Sequence, residues 1–139
     1  MNSRLNVTLR ERSGLVYSVE SNVTSYTDSG VFSIYFGTDL KQVDRCLKLV
    51  EKELKRLRET KMTDIQLHAA KKQLYGQMMI SSENKENQCL SMGKSMLHFN
   101  RYDSMEEVIR KVENFTPASL LEIANEVLDP QTMCLLIYK

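Results

Sequence analysis

Two histidines and three cysteines are the side chains of this sequence best suited to holding a metal or attacking a substrate. A protein zinc site needs three or four Cys, His or carboxylate ligands brought together. His68 and His98 stand alone, in neither an H-E-x-x-H nor an inverted H-x-x-E-H motif, so each reads as an ordinary surface or core histidine. Cys46, Cys89 and Cys134 form no C-x-x-C pair and each falls in an apolar stripe, which predicts buried structural thiols. Cys89 and His98 form a nucleophile pair only on paper, because no local signature surrounds them. The five glycines are scattered, and neither a phosphate loop nor a G-x-S-x-G elbow is present. The eight methionines lie mostly on helix stripes and read as core filling. Sequons at Asn6, Asn22 and Asn114 read as chance matches. What remains is a run around Gly14 that carries a guanidinium at Arg10 and a phenol at Tyr17, seven residues apart.

The elements that must position this run follow from periodicity. Leu5 and Leu9, four apart, predict a short helix over 3–12 that Gly14 breaks. Leu15 to about Tyr26 is rich in β-branched and aromatic residues and reads as a strand. Asp28-Ser29-Gly30 is a turn signal, and Val31–Phe36 is a second strand, giving an antiparallel hairpin. Few polar residues interrupt the second strand, which predicts burial on both faces. Asp39 with Gln42 has the spacing of a capping box, followed by an apolar stripe from Val43 through Cys46, Val50 and Leu54 to Leu57. The charged opposite face of that helix reads as solvated. Thr63 with Gln66 and Ser104 with Glu107 are two more capping boxes, and Ser81–Gln88 is a polar break between helices. Thr116-Pro117 opens a last helix, Asp129-Pro130 stops it, and Thr132–Tyr138 reads as a closing strand.

The order helix, hairpin, helices, strand predicts an α+β fold, with helices packed on one face of an antiparallel-rich sheet. Residues 1–139 read as a single domain with no internal boundary. The 19 basic against 18 acidic residues give no electrostatic reason to expect nucleic acid or an anionic membrane as a partner. No apolar run has the length of a membrane span, so a soluble protein is expected, with cytoplasm and periplasm both open.

The run Ser3-Arg4-Leu5, Leu9-Arg10-Glu11 and Gly14-Leu15-x-Tyr17-Ser18-Val19 resembles the second half of the insulinase/pitrilysin (inverzincin) zinc metallopeptidases. The similarity continues through Asp28-Ser29-Gly30, Tyr35-Phe36-Gly37-Thr38 and the helices to the closing segment. Departures are Val16, where the family often has alanine, and Ser13, where lysine, arginine or glutamine is common. The resemblance implies the C-terminal, non-metal half of a bacterial-type zinc protease, a fold of the LuxS/processing-peptidase kind, here truncated at its N-terminus, with Met1 internal to a longer parent. It implies no cofactor on this chain and zinc in a companion N-terminal half, on the same or a separate chain. It also implies a peptide substrate, contacted near the metal by an arginine and a tyrosine whose type and spacing Arg10 and Tyr17 match. Hydrolysis alone is not expected. A truncated sheet would leave an edge unpaired, so the fragment is expected to self-associate. The alternative implied by the same resemblance is a non-catalytic scaffold or core subunit of the processing-peptidase-like family.

Overall fold

The fold begins with a helical turn wound wider than usual. In the computed structural model, which describes residues 3–138, Asn6–Glu11 is a π-helix, and the Arg12 N–H reaches back five residues to the Val7 carbonyl at 2.9 Å. This turn seats Leu9 in the core, where it has no exposed surface. The chain leaves it through Gly14, at φ +57°, in the left-handed region where a Cβ is disfavoured.

Strand β1 (Val16–Ser25) pairs antiparallel with β2 (Gly30–Thr38). The Tyr26 N–H closes the connection by donating to the Ser29 carbonyl at 2.9 Å. The ladder is interrupted once. Val16 faces Thr38 and Ser18 faces Gly37, so Tyr17 is an extra residue in a β-bulge. Strict alternation would send Val16 and Val19 to opposite faces. The bulge resets the count, and both pack on the same core with Ile34 and Phe36 of β2.

A 3-10 turn (Leu40–Gln42) leads into α1 (Val43–Glu59). Cys46, Val50 and Leu54 step at four along α1 and are buried against Leu9 and Val16. Leu128, just beyond α5 (Pro117–Val127), closes this cluster, with Ala124 packed beside it. Glu53 is buried on α1 and accepts from the Thr8 hydroxyl at 3.3 Å. All these groups belong to one compact unit, formed by Met1–Thr60 with Leu121–Lys139.

The second compact unit, Lys61–Leu120, is helical. It holds α2 (Asp64–Ser82), α3 (Lys85–Phe99), α4 (Met105–Glu113) and the first residues of α5. The capping boxes expected at Thr63/Gln66 and Ser104/Glu107 are both formed. Asn84 caps α3, and Asn100, at φ 50°, ends it in the left-handed conformation common after a helix. Leu67 and Val112 are buried, whereas α3 buries no residue.

Three expectations are corrected. The segment Thr132–Tyr138 forms no strand, because β1 and β2 pair only with each other among the described residues and no ladder receives it. β2 is not buried on both faces: the core covers only its C-terminal half, and Tyr35 is 62% exposed. Cys46 is buried as expected, but Cys89 and Cys134 are exposed, since α3 and the last segment lie outside the core. The short helix expected over 3–12 is present, with π geometry along Asn6–Glu11. Among the described residues, no helix is long and apolar enough to cross a membrane.

Candidate functional site

Arg10 lies in the last turn of the π-helix with its side chain exposed. Its backbone is fixed from both sides. Leu9 anchors it in the core, and the Arg10 carbonyl accepts from the Gly14 N–H at 3.0 Å. Among the described residues its guanidinium makes no ion pair or side-chain hydrogen bond. Its several donors are therefore uncommitted.

Tyr17 is the bulged residue of β1. Its neighbour Val16 is buried, while Tyr17 itself is 69% exposed. Bulges commonly re-aim a side chain beside a functional site, and here the ring is held out of the core. Its hydroxyl donates to Asp39 Oδ1 at 2.7 Å. That hydrogen bond, together with the negative charge of Asp39, raises the phenol above its usual pKa, so it remains neutral and protonated through the physiological range. No hydrogen bond joins Arg10 to Tyr17.

Asp39 was expected to cap a helix with Gln42. It does occupy the position before the 3-10 turn, with extended backbone, but its side chain makes no capping bond. The carboxylate goes to Tyr17 instead. The signal that could have found this contact is the hairpin register. An antiparallel pairing that sets Thr38 opposite Val16 carries residue 39 on past residue 15, so Tyr17 is its diagonal neighbour at the end of the ladder.

The other candidate chemistry does not assemble. Among the described residues, no three His, Cys, Asp or Glu side chains are grouped so as to hold a metal ion. The described residues therefore offer no grouping that fits a zinc site. His68 is exposed, and His98 leans on Phe99 with ring centroids 6.2 Å apart. Cys89 and His98 lie nine residues apart on α3, which is about 13 Å along a helix axis and too far for proton transfer. In the second unit, Lys71 Nζ donates to the Glu113 carbonyl at 2.7 Å and the Tyr75 hydroxyl to Glu113 Oε1 at 2.6 Å. This triad fastens the C-terminus of α4 to α2, where a cation complements the free carbonyls of a helix end.

Comparison with known proteins places this geometry in a context. Residues 1–74 match the family described as the peptidase M16 inactive domain. The chain is 33% identical over 112 residues to the uncharacterized zinc protease YmxG of Bacillus subtilis, covering 81% of this chain and 27% of that protein. It is 32% identical to the uncharacterized zinc protease SCO5738 of Streptomyces coelicolor, covering 92% of this chain and 28% of that one. A crystal structure of a conserved protein from Enterococcus faecalis V583 superposes with a TM-score of 0.74 at 23% identity, over 88% of this chain and 28% of that chain. This similarity supports the α+β fold. The chain thus spans little more than a quarter of the length of these relatives.

Proposed function

The chain belongs to the peptidase M16 family, through the domain of that family described as inactive, and from this premise we propose that it is the substrate-binding half of a two-halved zinc endopeptidase. The companion half, fused or separate, holds the metal and carries out the hydrolysis. This chain contributes binding and orientation of the peptide. The observation that carries the reading is the pair of exposed donors on either side of Gly14, inside the matched residues 1–74.

A peptide bond under hydrolysis accumulates negative charge on its former carbonyl oxygen, and hydrogen-bond donors aimed at that region lower the barrier. A guanidinium cannot lose its proton in water and presents donors in a planar fork. A phenol raised above its ordinary pKa remains a donor throughout the working pH range. Both are suited to gripping peptide carbonyls, and neither can activate water. The chain is accordingly proposed to be inactive alone.

The test uses the assembled enzyme. Tyr17→Phe and Arg10→Ala are each expected to lower kcat/KM by roughly 100- to 1000-fold, the scale of one lost donor at a developing charge. Zinc content by mass spectrometry should stay at the wild-type value. Wild-type kinetics in both variants would remove the pair from the site and favour the scaffold alternative. The isolated chain with added zinc should cleave no peptide above the buffer control.

A further inference from the structure

Asp39 behaves unlike an ordinary residue before a helical turn. An aspartate there usually accepts from the first free N–H groups of the helix. Here the Gln42 N–H goes to the Asp39 main-chain carbonyl at 2.8 Å, and the side chain caps nothing. The carboxylate reaches across the base of the hairpin to the Tyr17 hydroxyl at 2.7 Å. The approach is built into the backbone. Thr38 pairs with Val16, and the Thr38 hydroxyl donates to the Leu15 carbonyl at 2.5 Å, pinning the end of β2 beside the start of β1.

A phenol has one proton to donate. While that proton is directed at Asp39, the Tyr17 oxygen can accept a hydrogen bond but cannot donate one to a substrate. We propose that Asp39 is a positioning residue for Tyr17: it holds the phenol's single donor in the ligand-free protein and yields it to a backbone carbonyl of an extended peptide. This rests on the reading of Tyr17 as a peptide contact. The proton remains on the phenol oxygen throughout, and only its acceptor changes. Both side chains stand in solvent, so the bond to Asp39 is near the weak end for a charged acceptor and can exchange. Arg10, without a partner, needs no such release. The two donors thus differ in kind: one is available at first encounter, and the other becomes available only as substrate displaces a carboxylate.

The assembled enzyme, its zinc-bearing half included, tests this with a fluorescence-quenched peptide library. Asp39→Ala removes the competing acceptor and is expected to lower KM roughly fivefold, the population effect of losing one weak hydrogen bond. In a Tyr17→Phe background the same change should move KM by less than about twofold, because no donor remains to be released. A second readout is the titration of the Tyr17 ring carbon by NMR of tyrosine-labelled chain, assigned with Tyr17→Phe. Its midpoint should fall in Asp39→Ala. If Tyr17→Phe is impaired but Asp39→Ala leaves KM unchanged or raises it, the latch is overturned and the peptide contact stands. An unmoved Tyr17 titration overturns the latch as well. Wild-type kinetics in Tyr17→Phe overturn both.

Discussion

The three side chains that join α2 to α4 make the stability of the second unit depend on pH at both ends of the scale. The Tyr75 hydrogen bond, assisted by the charge of Lys71, holds the Glu113 carboxyl below its ordinary value of 4.5. A carboxyl depressed in the folded state stabilises the fold above its unfolded pKa, and that contribution is lost as pH falls through the folded value. Tyr75 is moved the other way, to about 12, by burial and by the bond to Glu113. A phenol raised in the folded state contributes fully below its unfolded value of 10.0, and the contribution is lost as pH climbs toward 12. Urea midpoints are therefore expected to fall below pH 4.5 and again above pH 10. Glu113→Gln should flatten the acid limb, and Tyr75→Phe the alkaline limb. Identical pH profiles in wild type and variants would show that the triad does not couple to folding.

Among the secondary elements, glycine gives the cleanest contrast. Gly14 sits at φ +57°, and a Cβ placed there would meet nothing within 4 Å. The cost of Gly14→Ala is thus purely conformational, about 1–2 kcal/mol destabilising. Gly76 lies inside α2 with ordinary backbone and equally open surroundings. Gly76→Ala should stabilise by about 0.5–1 kcal/mol, because it removes chain entropy from the unfolded state. Opposite shifts in urea midpoint at constant slope would confirm both. What could be read from the sequence follows the same division between local and distant causes. The boxes at Thr63 and Ser104 were legible because donor and acceptor lie three residues apart. The same spacing misled at Asp39, where a tyrosine 22 positions away won the carboxylate. Arg10 and Tyr17 stood out as residue types, but neither the wide helical turn nor the bulge that holds them out of the core has a recognisable local signature. Thr132–Tyr138 has strand composition, yet a strand is made only by pairing, and composition does not say whether a segment pairs.

For the molecule as a whole, the segment Met133–Tyr138 matters most. It has six residues without charge, proline or glycine, and Leu136 is 73% exposed. The hairpin, meanwhile, pairs with no third strand among the described residues. Each copy of the chain thus carries both an adhesive segment and an open edge, and light scattering should report association that grows with concentration. The composition is also that of a steric zipper, whose stacked strands are joined by main-chain bonds that do not depend on the native fold. Heating the isolated chain should then end in thioflavin-positive cross-β material, so that the apparent melting temperature rises with scan rate and measures a velocity instead of an equilibrium. Leu136→Lys, by placing a charge in every layer of the stack, should restore reversibility without touching the core around Leu9.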